Sequence, residues 1–147
     1  MTMKTTLYFI LLLFFCSIGL QSCSVETSDN GYLDGFWYAE SIDSLSGVKA
    51  EGVYDDCYWK VQFKLLSIRR STTLEEYFFR FEKTGDSLIL SQPHKAISQG
   101  VDSLLPDNQE LLPLGIQSLE ERFHIVKLSS SRMILDSPKL RLRFRKL

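Results

Sequence analysis

Apolar residues recur at every second position through most of this chain, and that period allows few architectures. In "CYWKVQFKL", residues 57–65, Cys57, Trp59, Val61, Phe63 and Leu65 share one face, while Tyr58, Lys60, Gln62 and Lys64 share the other. Successive side chains of a strand point to opposite sides, so this is the pattern of a strand with one face on a core. The phase slips at Leu65–Leu66, which predicts a bulge or bend before Ile68. "EEYFFRFE" puts Tyr77, Phe79 and Phe81 inward, "KTGD" supplies a turn and "SLILS" returns, so residues 75–91 read as a hairpin. "RFHIVKL", "SSS" and "RMIL" read as a second hairpin. After "DSPK", the stretch "LRLRFRKL" sets Leu140, Leu142 and Phe144 against Arg141, Arg143 and Arg145. The expected fold class is all-β: an antiparallel up-and-down meander of about seven or eight strands.

Such a meander closes into a barrel or folds as a sandwich, and a regular last strand favours closure, because it is safest when paired with the first. Charge agrees with that pairing. Residues 23–59 hold eight acidic groups with Lys49 as the only base, and residues 122–147 hold eight basic groups with Asp136 as the only acid. The inward set is large: Trp37, Trp59, Phe63, Tyr77, Phe79, Phe81, Phe123, Met133 and Phe144. An eight-stranded barrel is just wide enough to be filled by its own side chains or to hold one small ligand. A mostly filled barrel is expected, with at most a shallow apolar pocket near one mouth, lined by Trp59, Tyr77 and Phe79.

Residues 92–121 break the rhythm. They contain Pro93, Pro106 and Pro113 and no sustained alternation. Structureless loops beyond about 12 to 15 residues are uncommon in compact domains and are often lids or binding loops. Ile116, Leu119 and Phe123 predict a short helix near 115–121, placed to plug one barrel end.

The N-terminus carries an address. "LYFILLLFFCSIGL", Leu7 to Leu20, follows Lys4 and is uncharged. At 1.5 Å per residue this run makes about 21 Å of helix, short for a bilayer core of about 30 Å. A positive start, a short apolar run and small residues after it form a secretory signal. "LQSC" then sets Ser22 immediately before Cys23, and it resembles the lipobox of bacterial lipoproteins. That resemblance implies cleavage before Cys23 and a diacylglycerol on its sulfur, which serves as the nucleophile. Two or three chains make a durable anchor where one is marginal. Ser24 after the cysteine implies outer-membrane delivery. The expected organisation is a signal peptide over 1–22, a flexible tether over 23–34 and one barrel domain over 35–147.

The 125 residues from Cys23 to Leu147 suffice for one domain. Loss of Lys4 leaves 16 of the 17 basic residues against 18 acidic ones, and nothing in that balance suggests nucleic acid. Cys16 leaves with the signal and Cys23 carries lipid, so Cys57 alone cannot support a disulfide framework; beside Trp59 it reads as a small buried hydrophobe. His94 and His124 have no metal-ligand spacing with it, and His124 reads as a structural histidine among apolar neighbours. No G-x-S-x-G elbow and no Gly-rich phosphate loop occur. No catalytic residue, cofactor or metal is therefore expected, and the domain is expected to be monomeric.

"LDGFWYAESID" places Gly35-x-Trp37 at the start of the first strand. This resembles the G-x-W signature of lipocalins and the wider calycin group. Signal, lipobox, G-x-W, meander and the "L-x-L-x-F-x-K" finish together resemble small lipocalin-like lipoproteins of the Bacteroidetes. The resemblance implies that Trp37 lies across the closed barrel end under a basic side chain of the final strand. Strand parity sends Arg141, Arg143 and Arg145 outward and leaves Lys146 on the inward phase. It also implies a non-enzymatic binding protein for a small apolar molecule or an envelope protein. The alternative is a structural or protein-interaction module with a filled barrel.

Overall fold

The described residues form nine strands, most of them where the alternation runs: β1 (Gly35–Ser44), β2 (Cys57–Gln62), β3 (Leu65–Arg70), β4 (Glu76–Thr84), β5 (Ser87–Lys95), β6 (Ser103–Leu104), β7 (Glu121–Leu128), β8 (Arg132–Asp136) and β9 (Leu140–Lys146). The structure is a computed structural model that describes residues 3–4, 28–53, 56–97 and 100–147. Most of the expected signal peptide, together with Cys23, lies outside the described residues.

All pairings are antiparallel. The order β4-β3-β2-β1-β9-β8-β7-β5 is closed by β4 against β5, giving an eight-stranded barrel, and β6 covers the remaining edge of β5. First and last strands pair from Trp37↔Lys146 to Ser44↔Leu140. Opposite charges meet there: Arg143 bonds Asp43 at 2.8 Å, and Glu40 takes Arg132 and Arg145. Shifts of register occur at Ala39/Ser41, Phe78/Arg80 and Ile125/Lys127. Each is a bulge that bends its strand and resets the inward phase; in β1 the buried positions change from Trp37 and Ala39 to Ile42.

The interior is filled. Trp37, Trp59, Ile68, Leu88, Leu90, Phe123, Met133, Leu135 and Leu142 expose no surface at all. A water-sized void beside any of them would leave it some. Tyr77, Phe79 and Phe144 are buried with them, and the Cys57 thiol is buried as expected.

Three expectations need correction. The alternation in "CYWKVQFKL" does not mark one strand: β2 ends at Gln62, Phe63–Lys64 form a two-residue turn, and Leu65 opens β3 opposite Gln62. Phe63 and Leu65 are therefore exposed, and Phe81 is only half-buried. The 92–121 segment is not one loop, since β5 runs on to Lys95 and β6 lies within it. The helix expected near 115–121 is instead a single 3-10 turn at Leu112–Leu114, ended by Gly115 at φ +81. Beyond Gly115 the path of the chain is fixed by Glu121, whose buried carboxylate accepts the backbone N–H groups of Gln117 and Ser118 at 2.7 and 2.8 Å.

The segment is nevertheless a plug. Leu105, Leu111, Leu114 and Ile116 join the core at the end of the barrel away from Gly35. Gly115 sits so close to Ile42 that a Cβ would meet its Cδ1 at 3.3 Å.

Candidate functional site

The two barrel ends differ. At the closed end Gly35 has φ +121, a conformation that side chains resist. It lets the chain enter β1 from the 3-10 turn Gly31–Leu33, whose Leu33 is fully buried. Two residues on, the Trp37 indole N–H donates to the Leu33 carbonyl at 2.8 Å. Lys146 crosses above, with Nζ 4.7 Å from the Trp37 ring centre, and donates to the Tyr32 carbonyl at 2.9 Å. A Cβ on residue 35 would lie 3.0 Å from Lys146 Cε. Gly35, Trp37 and Lys146 thus form one latch, and Lys146 is the basic residue that the parity of β9 left inward.

Trp59 stands in the interior, its ring centre 4.8 Å from Phe144 and 5.9 Å from Phe123. Among the described residues its buried indole N–H has no hydrogen-bond partner. Phe79 is packed in the same core. Of the three residues expected to line a pocket, Tyr77 lines the cleft at the plugged end and Phe79 touches a separate groove beside Gln92 and His94.

The plugged-end cleft, of about 400 Å³, lies between the β3–β4 connection and the plug, and its lining mixes polar and apolar groups in about equal measure. The Tyr77 hydroxyl donates to Glu110 at 2.8 Å. Lys95 bonds the same Glu110 oxygen and pairs with Glu75 at 3.2 Å. Thr73 lines the wall with a buried hydroxyl that has no hydrogen-bond partner among the described residues. Arg70 lies at the edge, held by Asp56 at 3.5 Å.

Electrostatics fix the protonation states. Burial pushes the Tyr77 hydroxyl up to about 12, and its hydrogen bond to Glu110 adds to the shift. The hydrogen bond from Lys95, then that from Tyr77, holds the Glu110 carboxyl below its usual range. The same bond to Glu110 raises the Lys95 ammonium. A phenol and an amine pushed upward are poor bases and nucleophiles at neutral pH. The cleft offers an ammonium, a carboxylate and a spare hydroxyl for recognition.

The sequence did not reveal Lys95, Glu110, Glu75 and Thr73 as a group. They come from separate segments, and no spacing links them; their one signal is that Glu110 lies in the segment that breaks the alternation. The histidines lie elsewhere. His94 Nδ1 is 2.7 Å from the Gln92 carbonyl, and His124, rather than sitting among apolar neighbours, faces solvent 3.3 Å from Asp86.

The family model described as a lipocalin-like domain matches residues 16–147. A lipocalin-like protein from Bacteroides uniformis ATCC 8492 superposes with a TM-score of 0.59 at 19% identity, covering 80% of this chain and 100% of that one. An uncharacterized protein from Bacteroides eggerthii DSM 20697 gives 0.55 at 16% identity, covering 78% and 98%. At such identities the likeness establishes the fold. No curated protein matches the sequence.

Proposed function

The chain belongs to the lipocalin-like domain family, and from that premise we propose that it is an outer-membrane lipoprotein, anchored through Cys23, whose barrel is a rigid, non-enzymatic binding module of the cell envelope. One observation carries the choice of module over container. The side chains that would have to line an internal pocket are buried against one another with almost no surface left exposed, whereas ligand sites typically need several hundred Å³. Recognition then takes place on the outside, and an envelope protein is the favoured partner. Native mass spectrometry of protein purified from its own envelope tests this. The expected spectrum shows a lipid-modified chain with no stoichiometric apolar small molecule; a one-to-one apolar adduct overturns the reading. The anchor is tested separately. Cys23→Ala should leave the membrane pellet or remain uncleaved, and a mutant that pellets as mature, tightly held protein refutes lipidation.

The plugged-end cleft supports a second reading, a small polar ligand. Its volume falls within the range of small-molecule sites, and among the described residues the Thr73 hydroxyl lacks a partner there. On this reading the native spectrum shows a polar adduct that Glu110→Gln removes.

A further inference from the structure

The outer face of β1–β4 brings exposed apolar side chains and bases together. Cross-strand register aligns Phe36, Lys60, Ser67 and Phe78 in one row. Ser67 is the small member of the row, and two adjoining grooves of about 350 and 330 Å³ meet over it. Toward the closed end the surface continues into Leu65 and the Phe63–Lys64 turn. Phe36, Phe63 and Leu65 are 53%, 46% and 42% exposed. Exposed apolar side chains gathered on one sheet face and rimmed by polar ones mark an interaction site.

Its charge is also unbalanced. On the outside of β8 and β9, Arg141 is matched by Asp136, Arg143 by Asp43, and Arg132 and Arg145 by Glu40. Lys60, Lys64, Arg69 and Arg80 border the grooves, where Glu76 is the only acid. Among the described residues none of these four bases makes an ion pair. Lys60 instead lies over the Phe36 ring at 5.4 Å.

Phe63 sharpens the case. It has φ +54 in a two-residue hairpin turn, where glycine or asparagine is the norm and a bulky residue is an outlier. The ring held there is not part of the core. The incoming chain is fastened to the same turn, because Asn30 Nδ2 donates to the Phe63 carbonyl at 2.6 Å. Ser28 lies five residues after Cys23, a reach of at most about 18 Å. The strand β1 alone covers about 33 Å. A lipid on Cys23 would therefore hold this end at the bilayer and point the plugged end away from it.

We infer that this face docks on an anionic phospholipid surface, with Phe36, Phe63 and Leu65 entering the headgroup region and Lys60, Lys64 and Arg80 meeting phosphates. The orientation rests on the lipid-anchor reading; the chemistry of the face does not. Aromatic rings favour the membrane interface, and basic side chains beside it are drawn to anionic lipid.

The test is lysine acetylation, read by mass spectrometry, on the full lipidated protein in phosphatidylcholine vesicles with and without about 30% phosphatidylglycerol. Relative to detergent, Lys60 and Lys64 should react about tenfold more slowly on the anionic vesicles, while Lys139 at the far end keeps its rate. Lys64→Glu combined with Arg80→Glu, both on the surface, should restore Lys60 reactivity. Unprotected Lys60 and Lys64 on both vesicles overturn the inference. So does protection in native envelopes without protection on these vesicles, which assigns the face to a protein. The same spectra report the lipid on Cys23. If it is missing, the anchor reading fails alone, and the anionic vesicles are added to the unanchored protein, where protection upholds the docking face and full reactivity refutes it.

Discussion

At the scale of single residues, position 35 shows why the closed end demands glycine. An alanine there takes on φ +121 and places its Cβ 3.0 Å from Lys146 Cε. The lysine can swing aside, but only by leaving the Trp37 ring and the Tyr32 carbonyl. Backbone strain of this kind costs about 1 to 3 kcal/mol. Gly35→Ala should therefore lower the urea midpoint by a matching amount without changing the slope, and an unchanged midpoint would show that the latch carries no stability. Tyr77 gives a second residue-scale prediction. Its hydroxyl is raised from 10.0 to about 12, so its share of stability is complete below pH 10 and is lost as pH rises through about 12. Absorbance titration should show a late step near that value that is absent in Tyr77→Phe. A late step that survives the substitution assigns the shift to another residue.

Among the elements, the β2–β3 hairpin turns by means that local preference opposes. Holding an L-residue in the left-handed region costs roughly 1 to 2 kcal/mol, while glycine's extra chain entropy costs about 0.5 to 1. Phe63 is exposed and contributes little packing, so Phe63→Gly should stabilise the barrel by about 0.5 to 1 kcal/mol. A loss of stability, measured by denaturant unfolding, would mean that the ring packs where it stands. The same conflict made this turn invisible in the sequence. A Phe-Lys turn lacks the Asn-Gly signal, and the alternation of β2 passes through it, so Phe63 and Leu65 read as inward. The strands themselves were legible because a half-buried strand imprints its period directly. The latch was legible only in part: parity left Lys146 on the inward phase of β9, but the alternation alone could not show that its long side chain reaches the Trp37 ring. The plug was legible as a break in rhythm but not in form: Ile116, Leu119 and Phe123 have helical spacing, yet Gly115 and the Glu121 carboxylate set the path. The cleft was illegible because Thr73, Glu75, Lys95 and Glu110 become neighbours only when β4 and β5 pair and the plug folds back over the barrel end.

For the whole molecule, closure couples everything to β9. This strand pairs with β1 on one side and β8 on the other. It also supplies Leu140, Leu142 and Phe144 to the core and Lys146 to the latch. Two contributions meet at its seam, a hydrogen-bonded edge and the ion pairs from Arg143 and Arg145 to Asp43 and Glu40. Their sizes differ. Partly exposed pairs contribute about 0 to 1 kcal/mol each and are screened by salt, whereas an open barrel presents two unpaired strand edges that template association. Deleting residues 139–147 should therefore expose β1 and β8 and drive aggregation, followed by light scattering. Replacing Arg143 and Arg145 with glutamine should leave a monomer that unfolds cooperatively at a slightly lower midpoint. If the truncated chain stays monomeric and cooperative, closure is not what holds this barrel together. If the glutamine variant aggregates as the truncation does, charge rather than backbone pairing closes the seam.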